Sequence, residues 1–355
     1  MRGFGDHNAR VGIRYRKSIN IGGGVRLNLS RSGLGASVGI PGLRYSVSPG
    51  GRRRQTTSLP GTGIYSVTSL GGAPGSAAVR PTVAWTPPKP GWFAGSAEKR
   101  YHEGVLALLG EEHPAALAAF EGCLAEDPDA VSAHFFAALA GEKAGVGNAR
   151  IVAHLEAVVA SDVELPDALQ HKYLPPAIVG LSVRSDITDH VAAELPFTSL
   201  GATLVLAEAY QQAGRLSDAI GLVVQLHAQD PENPVIGLSL ADLLFSDGDY
   251  EGVIEASAAA TNDSDFGAAL LHLRAAALLE SGMPDGALEA FREALAKTVG
   301  RDPGLLKAVR YDRALAYEHA GQHARARADL ERLFAVDPNY EDVRARLTAS
   351  NRSNR

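Results

Sequence analysis

Two hydrophobic rhythms run along this chain. Over residues 11–70 apolar side chains fall at every second position. Val25, Leu27 and Leu29 alternate with Arg26, Asn28 and Ser30; Leu34, Ala36, Val38 and Ile40 follow Ser32-Gly33; Tyr45 and Val47 follow Pro41-Gly42; Ile64, Tyr65 and Val67 follow "PGTG". A period of two gathers apolar side chains on one face of a strand. Gly and Pro clusters punctuate the pattern at the spacing of short hairpin-linked strands, and Gly supplies the positive φ that tight turns need. The pattern predicts a small antiparallel sheet of about four or five strands. From Ser96 onward the spacing is that of amphipathic helices, and the chain is rich in Ala and Leu.

The helical part repeats. "AYQQAGRLSDAI", "LLFSDGDYEGVI", "LLESGMPDGALEAF" and "AYEHAGQHARARADL" align on Gly214, Gly248, Gly282 and Gly321, at intervals of 34, 34 and 39. Small residues recur in the first helix (Ala207, Ala241, Ala275, Ala314), and small or branched ones open the second (Ala219, Val253, Ala287, Ala326). Ala287 and Phe291 keep an A-x-x-x-F step, and Pro231 and Pro338 close units. An earlier unit shows Gly104, Ala116, Phe120 and Pro128, and the distance to Pro231 leaves room for about two degenerate units. This pattern resembles the tetratricopeptide repeat. The resemblance implies helix pairs stacked as an α-solenoid, because one pair cannot bury its apolar face alone.

Members of that family commonly hold extended peptides on the concave face, through positions 2, 5, 9 and 12 of the first helix. Carried onto this sequence, the candidates are Leu204, Glu208 and Gln211; Leu238, Asp242 and Phe245; His272 and Leu279; and Tyr311 and Glu318. The Lys/Asn/Arg set that clamps a C-terminal carboxylate in chaperone-binding members is absent. The implied groove is apolar with acidic spots and suits apolar or basic segments, the protein's own front end among them. Packing between repeats is the competing role for each position.

The front end carries a second resemblance. "RYRKSINIGGGVRLNLSRSGLGASVGIPGLRYSV" followed by "LPGTGIYSV" resembles the small bacterial N-terminal module called domain of unknown function 4236, over roughly residues 11–68. That family implies a fold and no activity. A sheet of this size is marginal alone and has unpaired edges, so self-association or docking is expected.

Charge divides the chain in the same way. Residues 1–80 hold twelve Lys/Arg against the single acid Asp6, whereas the whole chain has a formal charge of −6. Arg14, Arg16, Lys17, Arg26, Arg44, Arg52, Arg53 and Arg54 are candidates for holding nucleic acid or an anionic membrane. A solvated sheet face, or pairing with the acidic half, accounts for the same residues. The glycines of "GLGASVG" and "IGGGV" lack the phosphate-loop form.

The expected fold class is therefore α+β multidomain. A disordered N-terminus spans 1–10, a basic β-module 11–70, a flexible Gly/Ala/Pro-rich linker 71–95, an all-α solenoid 96–348 and a disordered tail 349–355. Trp85 and Trp92, in or beside the linker, either cap the first helices, the favoured role, or anchor a partner. An irregular insertion at 161–199, with several prolines and a strand-like alternation at Leu181 and Val183, interrupts the array; insertions of this kind often line the binding face, and the sequence leaves the role of this one open.

Candidate chemistry is sparse. No nucleophile elbow, zincin helix or Cys/His pairing is present. His171, His190, Asp186 and Asp189 match no metal spacing, and Cys123 is the single cysteine. The expectation is a non-catalytic interaction scaffold without metal or cofactor, with an unknown protein or peptide partner. A polyanion-binding role for the β-module is the alternative. One cysteine, no signal-like opening and no long apolar run point to a cytoplasmic protein.

Overall fold

The structure, a computed structural model, describes residues 87–174 and 182–353, and before them the backbone of six strands between residues 18 and 70. Those strands are β1 (Ser18–Asn20), β2 (Val25–Ser30), β3 (Gly33–Ile40), β4 (Leu43–Val47), β5 (Arg53–Ser58) and β6 (Tyr65–Leu70), each antiparallel to the next. Val25 lies opposite Val38 and Leu29 opposite Leu34. The expected N-terminal segment 1–10, most of the linker, Trp85 and Leu181 lie outside the described residues.

The rest is mostly helical and divides into two compact units. Among the described residues, one unit gathers the six strands, 87–174 and 182–186 with 193–226; the other gathers 187–192 with the chain from 227 onward.

In the first of these, α1 (Ser96–Leu109) pairs with α2 (His113–Glu126), and α3 (Val131–Ala144) with α4 (Asn148–Val159). Gly104 is required by its neighbour: a Cβ there would lie 2.8 Å from the Phe120 ring. That closeness lets α1 and α2 bury a cluster of aromatic rings. Tyr101 meets Phe120 edge-on at 5.5 Å between centroids, Phe120 stacks on Phe136 at 5.6 Å, and Phe197 stands edge-on to Phe135 and Phe136.

Among the described residues, one helix pair, α3 with α4, stands where about two degenerate units were expected. The second is replaced by α5 (Ala168–Tyr173) and a hairpin of β7 (Ser182–Asp186) and β8 (Ala192–Pro196). The prolines of this stretch lack the N–H that a continuous helix needs. The array resumes with α6 (Ser199–Gln212), which packs on α4, and α7 (Leu216–Gln229).

The other unit contains α8 (Pro234–Asp247), α9 (Tyr250–Ala256), α10 (Asp265–Glu280), α11 (Pro284–Ala294), α12 (Pro303–His319), α13 (His323–Val336) and α14 (Val343–Ser353). The last helix passes the expected boundary at 348, because "ASNRS" contains no residue that forbids helical backbone.

The repeat glycines do what their alignment implied. Gly214, Gly248, Gly282 and Gly321 all have φ between 70° and 83°, a conformation nearly reserved for glycine at helix ends. The small residues Ala241, Ala275, Ala287 and Ala314 are fully buried at helix contacts. Each first helix from residue 199 onward is also capped by a side chain. Thr198, Asn233, Ser264 and Asp302 accept hydrogen bonds from Gly201, Val235, Gly267 and Gly304 N–H groups respectively, satisfying donors that the helix leaves open.

Candidate peptide-binding face

In the unit containing α1–α4, the insertion is packed onto the first helices. Ser132, on α3, donates from its backbone N and its Oγ to the two carboxylate oxygens of Asp167, both at 2.8 Å. Because the Ser132 proton is committed there, the Tyr101 hydroxyl donates to Ser132 Oγ, at 2.9 Å. Tyr173 donates from its hydroxyl to Glu98 Oε1 at 2.5 Å, and Lys172 pairs with the same carboxylate. Farther along, Ser185 of β7 donates to Glu208 Oε2 at 3.1 Å. Glu208 is one of the expected concave-face residues. On the same helix, Leu204 is buried and Gln211 half-buried.

In the other unit, residues 187–191 form a closed loop. Ile187 N and Thr188 N both donate to the Val191 carbonyl, at 2.9 and 3.1 Å, and Val191 N donates to Thr188 Oγ1 at 3.1 Å. Ile187 and Val191 are buried. The loop's His190 lies against the start of α12, where its Nδ1 is 3.1 Å from the place a Cβ on Gly304 would occupy. Burial, followed by the neighbouring His272, lowers the His190 pKa, while Asp189, Asp302 and Asp312 act to raise it. Asp242 of α8 is buried, and its carboxyl is pushed up to about 7 by burial and then by the charge of Asp189. His272 of α10 pairs with Asp312 of α12 at 2.6 Å. The loop thus lies against the start of α12, with His190 near enough to His272 of α10, and Asp189 to Asp242 of α8, for their charges to be felt.

The remaining candidates are all buried or half-buried. Leu238 is buried, and Phe245 meets Tyr250 edge-on at 5.4 Å. Leu279 is half-buried. Tyr311 and Glu318 are engaged by the last helix: Tyr311 donates to Asp342 Oδ1 at 2.7 Å, and Arg346 bridges Asp342 and Glu318. Arg14, Arg16, Lys17 and Arg52 lie outside the described residues, and Arg26, Arg44, Arg53 and Arg54 belong to strands described by backbone alone.

Trp92 corrects one expectation. It does not cap the first helices; it is 93% exposed, and Phe93 is 97% exposed. The turn closed by Ala94 N donating to the Gly91 carbonyl at 3.0 Å leaves both rings outside the helix packing.

Among the described residues no group of three or more His, Cys, Asp or Glu is arranged to hold a metal ion, and no helix is long and apolar enough to cross a membrane. Cys123 is buried, and its thiol is pushed up to about 11 by burial.

Comparison with known proteins agrees with this division. Residues 13–67 match the family model described as "Protein of unknown function (DUF4236)". No curated protein matches the chain. Among solved structures, the N-terminal domain of the EccA1 ATPase from the ESX-1 secretion system of Mycobacterium tuberculosis is similar, with TM-score 0.50 and 16% identity, covering 71% of this chain and 88% of that one. A tetratricopeptide repeat protein from Parabacteroides merdae has TM-score 0.36 and 11% identity over 72% of this chain and 84% of its own. MamA has TM-score 0.41 and 15% identity over 57% and 91%. The chain joins an N-terminal segment similar to a family of unknown function to an array of paired helices whose fold is similar to that of the EccA1 N-terminal domain.

Proposed function

We propose that this protein is a non-catalytic interaction scaffold whose first-helix face takes up a segment of a partner protein. One observation carries this reading. Loop 187–191, a non-helical piece of chain with two buried apolar residues, groups with the helices from 227 onward and sets His190 against the start of α12. A face that accommodates two buried β-branched residues and an imidazole has the shape and polarity to accommodate another such segment. The candidate first-helix positions carry Glu208, Asp242 and Glu318 and no lysine or arginine, so the preferred partner segment is apolar with a basic residue. The single cysteine is held as a buried thiol and offers no thiolate at neutral pH, which supports a binding role over a catalytic one.

The test uses the full chain and two fluorescent peptides of equal length and apolar content, one with lysines and one with glutamates. Saturable binding of the basic peptide alone is expected. Equal binding of both, or of neither, overturns the reading.

The charge of the front end supports a second role, holding a polyanion. Twelve basic residues against one acid in residues 1–80 predict binding that falls steeply with salt and disappears when Arg52, Arg53 and Arg54 become Ala. Salt-independent binding to nucleic acid or anionic vesicles, or none, ends that role. For either role we propose a cytoplasmic setting, on the single, reduced cysteine.

A further inference from the structure

We infer that the hairpin of β7 and β8 is the dock for the chain's own basic β-module, which joins the helical array by adding its first strand to the outer edge of β7. This gives the interruption at 161–199 a role, and it holds whether or not the first helices take up a partner segment.

β1 runs antiparallel to β7, with Ser18 opposite Arg184, so the module and the hairpin form one sheet in the order β6-β5-β4-β3-β2-β1-β7-β8. β1 has three residues, the shortest strand of the module, and its other side pairs with β2. At the rim of a six-stranded sheet so short a strand has one neighbour to hold it; between β2 and β7 it has two. The hairpin is placed to supply that neighbour. Val183, Ser185, Ala193 and Leu195 are all buried, as period two requires of one face, and Ser185 ties that face to Glu208 of α6. At the hairpin's end Ile187 N donates to the Val191 carbonyl. In two-residue steps the backbone groups of Ser185 and Val183 also turn towards β8, and those of Arg184 turn outwards, to β1.

Charge fits the docking. Residues 11–70 carry nine Lys/Arg and no acid. Residues 161–199 carry six acids, three of them in the hairpin (Asp186, Asp189 and Glu194), and two bases, Lys172 and Arg184. Opposite signs steer the module to the hairpin and fix its orientation. The main-chain ladder supplies the affinity, as in other strand additions. Twenty-five residues lie between Leu70 and Ser96, at most about 80 Å of extended chain, which lets the module reach its own hairpin. The high effective concentration of a tethered strand favours that hairpin over a second copy's.

The test uses the full-length protein with S18C/R184C. Directly opposed residues of an antiparallel pair have Cα atoms about 4.5–5.5 Å apart, inside the range that a disulfide spans. Cys123, a buried thiol, stays out of the reaction. Mild oxidation is expected to give a disulfide within one chain, read by peptide mapping and by migration as a monomer. The off-register pair S18C/S182C, displaced by two residues, is expected to form a disulfide at least about tenfold more slowly. Independently, R184P removes the N–H turned towards β1 and keeps those turned towards β8. It is expected to speed amide exchange at Ser18 and Asn20 without speeding it in α6.

Equal oxidation rates for the two cysteine pairs, or no disulfide from either, overturn the docking. A disulfide that joins two chains overturns the assignment to the chain's own hairpin. Unchanged exchange at Ser18 and Asn20 in folded R184P overturns the pairing, and if R184P fails to fold the cysteine pairs decide alone.

Discussion

The Nδ1 of His190 lies 3.1 Å from where a Cβ on Gly304 would stand, which places a loop from the middle of the array against the start of α12. Gly304→Ala puts a methyl into that space and near the capping oxygen of Asp302, 2.9 Å away. The closest approach is to the capping carboxylate and the next to His190, so the strain is shared between the α12 cap and the loop. We expect faster amide exchange at Ile187–Val191 in G304A and little change in far-ultraviolet circular dichroism. Full protection of the loop in G304A contradicts the placement of His190.

Gly201 and Gly267 face a harder constraint. A Cβ on Gly201 would lie 2.0 Å from the Pro196 carbonyl oxygen, and one on Gly267 would lie 1.9 Å from that of Thr261. Both neighbours are backbone and cannot rotate away. Gly201→Ala and Gly267→Ala are each expected to cost about 3 kcal/mol or more, as overpacking against fixed atoms does. Gly221, inside α7, has nothing within 4 Å of its Cβ position. Gly221→Ala is expected to stabilise by about 0.5–1 kcal/mol through helix propensity. Urea unfolding of the three variants checks the ordering.

Asp329 is buried on α13 and accepts two hydrogen bonds from Arg313, at 2.8 and 2.9 Å. Arg310, whose Nε has no partner, feels the same carboxylate. Asp329→Ala strands two guanidinium groups in a partly buried site. A loss of about 3–5 kcal/mol is expected, the cost of removing one half of a buried pair. Paired removal with Arg313→Met is expected to recover part of it, and a double-mutant cycle measures the recovery.

Stability should depend on pH through Asp242 and His190 with opposite signs. The Asp242 carboxyl is raised from 3.8 to about 7, so the folded chain holds its proton more tightly than the unfolded chain. Stability is then lost as pH rises from about 4 to about 7, at roughly 1.4 kcal/mol per unit at most. Asp242→Asn removes this loss. The variant is expected to be more stable than wild type at pH 8, by up to about 4 kcal/mol, and no more stable at pH 4. His190 is lowered, so the unfolded chain takes up a proton first and stability rises as pH climbs towards the ordinary 6.5. His190→Gln is expected to steepen the wild-type fall between about pH 4 and 6.5. Denaturant midpoints across this range test both; an Asp242→Asn profile parallel to wild type removes the assignment.

Asp167 binds the insertion to α3 and also caps α5 through Gln170 N at 2.8 Å. Asp167→Ala leaves Ser132 Oγ and the Tyr101 hydroxyl in a buried place with one acceptor fewer. A cost of about 2–4 kcal/mol is expected, with limited proteolysis cutting first within residues 161–181. Proteolysis elsewhere, at unchanged rate within the insertion, contradicts this role.

Much of the helical array could be read from one dimension because its rules are local. A helix end that turns into positive φ needs glycine, so Gly214, Gly248, Gly282 and Gly321 announced themselves by spacing alone, and buried Ala at fixed offsets marked the helix contacts. Gly145, also with φ of 73°, marks the end of α3 by the same signal. The first unit broke the rule: there Glu111, not a glycine, takes the left-handed position, with φ of 61°. The stretch 161–199 was recognisable as an interruption because prolines and alternation conflict with helical period, yet nothing in its pattern stated which helices it would meet.

Periodicity along the chain determined that helices pair, where most of them turn, and which positions face a neighbour, because each depends on residues within a few steps of one another. The three-dimensional packing alone decided that His190 comes to rest on Gly304, that Asp242 is buried near Asp189, and that Tyr311 and Glu318 serve the last helix. Those contacts join residues tens to more than a hundred positions apart. Their free energy depends on which surfaces meet and how much water they exclude, and no spacing in the sequence carries that quantity.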